Sequence, residues 1–261
     1  MLHMYSQNVW SGKVFGPLCE RLIYLRDQVH LFCFQEVLTS PDGVQPYTTV
    51  RTNLLAELHH CLPEHQPFFC NIQSGFDPDG PVRYAVDFGQ AMFLHRSVGL
   101  QQHFTRFIFR TENALTATAS VAVGWGLGRA IQVAVIMHEQ ETYVIGNVHG
   151  LWHASGKGDM PERRRQSRNI VAAMAAVSAE KKIIVGDLNV VPDTRSIHMI
   201  EAAGYRNLIT EYAITDTRTV FYRKVPRLAD YVFVSRAVRV EDFRVDQTPV
   251  SDHAALLLGV T

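Results

Sequence analysis

The chain has 261 residues, 47% of them hydrophobic, and its 25 Lys plus Arg are balanced by 25 Asp plus Glu. That length can bury one sizeable core, so a single domain over residues 1–261 is expected. A formal charge of zero excludes the global basic field that draws a protein along a duplex, while leaving room for a local basic cleft.

Cys19, Cys33, Cys61 and Cys70 show no CxxC spacing, and Cys33 lies inside the apolar run Leu31-Phe32-Cys33-Phe34. Structural thiols in a reducing compartment are expected, rather than disulfides or a metal knuckle. No basic segment followed by an apolar one opens the chain, and no stretch reaches membrane-spanning length, so a soluble cytoplasmic protein is expected. No segment implies a particular protein partner.

In chain order, short apolar runs predict strands over about 2–9, 30–36, 88–95, 129–138, 142–149, 182–186, 229–235 and 255–259. His138-Glu139-Gln140-Glu141 reads as a hairpin link, and helices are predicted over 17–28, 51–62, 160–179 and 194–203. The mixture argues for layered sheets flanked by helices. The third helix is the best marked, because Asp159 and Glu162 have capping-box spacing and Pro161 sits in the first turn. Its apolar stripe of Ile170, Met174 and Val177 extends back to Gln166 and Arg163, which points those two inward beside the strand ending at His149. Loops are expected over 38–50, 74–87, 150–159 and 215–227, where specificity usually resides.

The residues suited to chemistry fall at strand ends. Asn8 closes the first strand and reads alone as a turn residue. Glu36 ends Phe32-Cys33-Phe34-Gln35-Glu36, and a carboxylate leaving a buried strand needs either an ion-pair partner or a hard cation. His149 follows Val144-Ile145-Gly146-Asn147-Val148; with His153 it has i, i+4 spacing, but on a strand-to-loop exit without the glutamate of a helical zinc motif. Asp187 and Asn189 share a face if the strand predicted over 182–186 continues through them, although Asp-x-Asn is also an ordinary turn. Asp230 opens the strand Tyr231-Val232-Phe233-Val234 and is a candidate orienter of His253 in Ser251-Asp252-His253. Gly156-Lys157 lacks P-loop spacing, and Gly124-Trp125-Gly126-Leu127-Gly128 lacks the preceding strand of a dinucleotide fingerprint; both read as turns.

Asn8, Gln35-Glu36, His149, Gly186-Asp187-Leu188-Asn189, Asp230-Tyr231 and Ser251-Asp252-His253 together resemble, in order and over the whole chain, the endonuclease/exonuclease/phosphatase superfamily. The resemblance implies a four-layer α-β-β-α sandwich of two mostly antiparallel sheets flanked by helices, with the site at one edge. It implies a divalent cation, Mg²⁺ with Mn²⁺ as a substitute, at Glu36 with Asn8 and Asp252 nearby. Asp187 and Asn189 would position water and phosphate, His149 would contact a phosphate oxygen, and His253, oriented by Asp230, would stabilise or protonate the phosphoryl group. Trp152, Arg163 and Gln166, with Lys157-Gly158-Asp159, are expected to contact substrate. The expected activity is a phosphodiesterase acting by in-line attack of water on DNA, RNA or nucleotide ends. The alternatives are a phosphatase or phospholipase-C-like hydrolase of small or lipid phosphoesters, and a noncatalytic binding protein.

Overall fold

The computed structural model describes residues 1–43, 45, 49–114 and 126–261. The Gly124–Gly128 run and the expected loop over 38–50 therefore lie partly outside the described residues. Fourteen strands occur among the described residues: β1 (Leu2–Asn8), β2 (Leu31–Thr39), β3 (His65–Ser74), β4 (Phe76–Asp77), β5 (Gly80–Pro81), β6 (Asp87–His95), β7 (Gly99–Phe109), β8 (Arg129–His138), β9 (Glu141–His149), β10 (Lys181–Asp187), β11 (Tyr205–Asn207), β12 (Asp230–Ser235), β13 (Val240–Asp246) and β14 (Ala255–Val260). The helices are α1 (Phe15–Leu25), α2 (Leu54–Cys61), α3 (Pro161–Ala175), α4 (Arg195–Ala202) and α5 (Leu208–Glu211), with a short 3-10 turn at Trp10–Gly12.

Two six-stranded sheets run β13-β14-β1-β2-β6-β3 and β11-β12-β10-β9-β8-β7. Only β1 with β2 and β9 with β10 pair in parallel among these neighbours; the other pairings are antiparallel. Alternation explains the layers. In β2, Leu31 and Cys33 enter the core between the sheets, while Phe32 and Phe34 join Leu18, Leu22, Leu54 and Leu58 of α1 and α2 on the outer face. Ile170, Ala173 and Met174 of α3, with Ile197 and Ile200 of α4, cover the second sheet. The fold is thus the α-β-β-α sandwich. No helix among the described residues is long and apolar enough to cross a membrane.

The first parallel pair carries the ends of β1 and β2 to one edge, and β9 with β10 delivers His149 and Asp187 there, paired across the strands. A buried polar seam fixes the two sheets against each other just below that edge. Gln35 donates to Asn147 Oδ1 at 2.7 Å, and the Asn147 amide donates to Gln132 Oε1 and to the Phe34 and Ala91 carbonyls.

Three expectations change. Cys19 of α1 and Cys61 of α2 form a disulfide, their Cα atoms 6.0 Å apart, while Cys33 and Cys70 remain buried thiols. Helix packing brings together cysteines 42 residues apart, which spacing alone does not reveal, and the pairing removes the cysteine argument for a reducing compartment. The capping box does not form: α3 starts from Met160 without a side-chain cap, because Asp159 accepts instead from the Ser196 backbone and hydroxyl. Strands β3, β7, β11 and β13 occupy stretches not marked as strands in the sequence.

Candidate active site

Asn8, Glu36 and Asn189 are presented by local breaks in regular structure, whereas His149 and Asp230 stand at strand ends. After β1, Asn8 Oδ1 accepts the Trp10 N–H at 3.0 Å, closing a turn in which Trp10 and Ser11 take positive φ. Asn8 Nδ2 is then left to donate to Glu36 Oε1 (2.9 Å) and Asp187 Oδ2 (3.2 Å). As arranged here, Asn8 offers N–H to the Glu36 and Asp187 carboxylates, with its oxygen engaged by the Trp10 N–H. Glu36 sits on a bulge of β2 with φ 58°, which turns its side chain out of strand alternation toward the edge.

Strand β10 stops at Asp187, so Asp187 and Asn189 do not meet by alternation. Asn189 adopts φ 54°, its N–H donates to Asp187 Oδ1 at 2.8 Å, and its side chain reaches Asp187 Oδ2 at 3.2 Å. The residue before the turn has to be glycine: Gly186 has φ 132°, and a Cβ there would lie 2.0 Å from the Val148 carbonyl oxygen.

His253 Nδ1 lies 2.8 and 3.0 Å from the two Asp230 oxygens, and Asp230 also accepts from Thr217 Oγ1 at 2.8 Å. The other imidazole nitrogen, Nε2, is 3.6 Å from Asp187 Oδ2. Gln7 anchors the His253 carbonyl, and Ser251 donates to the Asn8 carbonyl, tying the last motif to β1. Asp187, Asp230 and His253 offer ligand atoms within 4.8 Å of one another. Asp230 and His253 form a hydrogen-bonded pair, while Asp187 faces Nε2 from beyond hydrogen-bond reach.

Electrostatics sets a different place apart for a cation. Burial pushes the Glu36 carboxyl up to about 7; Asp252 and Asp187 push the same way, opposed by the Asn8 hydrogen bond and Arg129. Asp252 Oδ2 is bonded to Arg218 at 2.9 Å, but its buried Oδ1 has no hydrogen-bond partner among the described residues. A carboxyl reluctant to ionise beside an orphaned carboxylate oxygen is a donor set that a hard divalent cation completes. Burial lowers His149 well below its ordinary value, with Arg129 and His253 adding to the effect, so its imidazole is neutral. Burial also raises Asp230 and lowers His253, which favours the neutral imidazole donating its Nδ1–H to the carboxylate.

Glu36, His149, Asp187, Asn189, Asp252 and His253 line a cleft of about 300 Å³, with Trp152 on its wall at 42% exposure, while Asn8 and Asp230 are buried and do not line it. Arg163 and Gln166 do not line it. The Arg163 guanidinium donates to the Leu151, Gly156 and Gly158 carbonyls, and Gln166 accepts from the Leu151 N–H, so the inward stripe clamps the 150–158 loop instead of lining the cleft. Lys157 reaches the cleft, as do residues the sequence reading passed over: Trp10, Lys13, Arg129, Arg218 and Tyr222. Arg129 heads an apolar strand, the same signature that singled out Glu36; Arg218 and Tyr222 lie in the 215–227 loop without any periodic signal.

A model of the endonuclease/exonuclease/phosphatase family matches residues 5–253. None of the curated proteins compared matches the chain. Among solved structures, the mannosyl-6-phosphatase of Bacteroides thetaiotaomicron VPI-5482 is similar at TM-score 0.70 and 14% identity, with 100% of each chain covered. The family protein from Bacteroides vulgatus gives 0.68 at 12%, covering 100% of this chain and 98% of that one. D. rerio TDP2 complexed with single-strand DNA product gives 0.64 at 15%, again covering 100% and 98%. With a family model matching residues 5–253, the chain belongs to the endonuclease/exonuclease/phosphatase family.

Proposed function

We propose that the protein is a divalent-cation-dependent phosphoesterase acting by in-line attack of water on nucleotide or nucleic-acid ends. The observation that carries this reading is the convergence of Glu36, Asp252, Asp187, Asn189, His149 and His253 on one cleft. Glu36, braced by Asn8, and Asp252 would hold the cation. Bound there, Mg²⁺, or Mn²⁺ in its place, supplies charge neutralisation at the phosphoryl oxygens.

The protein's own groups perform the rest. Asp187 orients the attacking water and accepts its proton, while the Asn189 amide holds water or a phosphoryl oxygen without charge repulsion. The neutral His149 imidazole is suited to donating a hydrogen bond to a phosphoryl oxygen. His253, held by Asp230 through Nδ1, turns only Nε2 to the reaction; an arriving anion raises its proton affinity, so it supports developing charge there. The water oxygen bonds to phosphorus as the ester P–O bond opposite breaks, and the leaving alkoxide takes a proton from solvent water to depart as the alcohol.

Ends rather than long duplexes fit a compact cleft walled by Trp10, Trp152 and Tyr222 on a molecule of zero formal charge. A second reading, hydrolysis of small phosphoesters such as sugar phosphates, is supported by the same cleft size and by the likeness to the mannosyl-6-phosphatase. A turnover screen in Mg²⁺ across short oligonucleotides, nucleotides, sugar phosphates and phosphocholine lipids separates them. Turnover confined to the last two classes would overturn the nucleotide assignment.

A further inference from the structure

Arg218 is only 4% exposed, yet it lines the cleft. One guanidinium nitrogen donates to Asp252 Oδ2 at 2.9 Å, the guanidinium carbon lies 4.2 Å from the Tyr222 ring centroid, and the buried Nε has no hydrogen-bond partner among the described residues. Its backbone is equally fixed. Arg218 forms a β-bridge with His253, flanked by Thr219 N–H donating to the Asp252 carbonyl and Ala254 N–H to the Thr217 carbonyl. Lys157 Nζ lies 5.1 Å from the same Tyr222 ring and also faces the cleft.

Charge defines what such a place accepts. Lys13 and Asp79 on the rim cancel each other at 3.5 Å. The remaining lining charges are Arg129, Lys157 and Arg218 against Glu36, Asp187 and Asp252, three of each sign. A divalent cation leaves an excess of two positive charges, which a phosphodiester monoanion neutralises by half and a phosphomonoester dianion neutralises fully. A monoester also carries three terminal oxygens instead of two, leaving one for a planar guanidinium edge and an ammonium to share.

Resting on the phosphoesterase reading above, we propose that Arg218 and Lys157, gathered on Tyr222, form an anion subsite beside Asp252 that selects substrates bearing a dianionic phosphate, a phosphomonoester or 5′-phosphorylated nucleotide end, over isolated phosphodiesters. Arg218 is the specificity-determining residue, because it ties the subsite to the cation-binding carboxylate.

The test is calorimetric binding in Ca²⁺, independent of turnover, of adenosine 5′-monophosphate and of its methyl phosphodiester. The parent protein should bind the monoester about tenfold or more tighter, the scale of one charge-assisted contact. Arg218→Gln should bring the two affinities within about threefold, with Arg218→Lys intermediate. Lys157→Gln should narrow the ratio without touching Asp252, which keeps the test decisive if Arg218→Gln does not fold. Equal parental affinities, or a ratio unmoved in a folded variant, overturn the subsite. Absence of turnover in the separate substrate screen would instead sink the phosphoesterase reading while the binding ratio stood.

Discussion

His253 Nδ1 is committed to Asp230, so the imidazole can present only Nε2 to the cleft, 3.6 Å from Asp187. Asp187→Asn and His253→Ala should each lower kcat by roughly two orders of magnitude or more, since each removes a charge-handling group from the transition state. Asp230→Asn should cost less than His253→Ala, and the double variant little more than His253→Ala alone, because Asp230 acts through the histidine. Additive losses, or near-parental turnover in a folded variant, would remove these residues from the reaction. Glu36 is treated differently: burial already holds it at about 7, so Glu36→Gln should fold normally and raise the Mg²⁺ concentration needed for half-maximal activity. Saturating Mg²⁺ should recover part of the rate; a Mg²⁺ requirement identical to the parent's would place the cation elsewhere.

At the scale of elements, the site depends on how β2 and β9 are held. Asn147 sits two residues before His149, and its partner Gln35 immediately precedes Glu36. Asn147→Leu keeps the volume but removes the acceptor of the short Gln35 bond and the donor to Gln132 Oε1 and the Phe34 and Ala91 carbonyls inside the sandwich. Urea unfolding should show a loss of about 2–4 kcal/mol, accompanied by weaker Mg²⁺ binding. Unchanged stability would mean the seam is not what registers the sheets. The same scale explains what was legible in the sequence. Central strands announce themselves as apolar runs, and the α3 stripe placed Arg163 and Gln166 inward correctly. What the stripe did not reveal is their partners: Arg163 donates to loop carbonyls and Gln166 accepts the Leu151 N–H, so neither lines the cleft. Strands β7 and β13 lie at sheet edges, where Gln101, Gln102, Glu241 and Asp242 are exposed and alternation is diluted. Asp187 with Asn189 was visible as a motif, yet it works through a positive-φ turn that strand periodicity does not encode. Arg218 and Tyr222 acquire meaning only when their loop bridges to His253, a contact across 35 residues.

Across the whole molecule the site is balanced by a histidine cluster at the opposite strand ends. His3 opens β1, His30 precedes β2, His65 opens β3, and His95 and His138 close β6 and β8. The His30 ring lies 5.8 Å from His3, 6.5 Å from His95 and 4.5 Å from His138, with Asp242, Arg244 and Glu139 among the charges nearby. Burial, reinforced by the neighbouring histidines, lowers His30 to about 4, and burial also lowers His3 and His65. A histidine depressed in the folded state leaves the unfolded chain binding more protons. Its stabilisation is present at neutral pH and is lost as pH falls from about 6.5 toward 4. Glu36 and Asp230, raised by burial, work the other way over part of that range, so the informative quantity is a difference. Between pH 7.5 and 5 the parent should lose more stability than His30→Gln; parallel curves would show that the cluster does not set the acid limit.

If carboxylates presented by strand ends hold a cation for in-line hydrolysis, dialysis against chelator exposes that dependence most directly. Turnover of a 5′-phosphorylated oligonucleotide or nucleotide should disappear with EDTA, return on adding Mg²⁺ or Mn²⁺, and stay absent in a metal-replete Asp187→Asn variant. Undiminished hydrolysis in excess chelator would contradict the account.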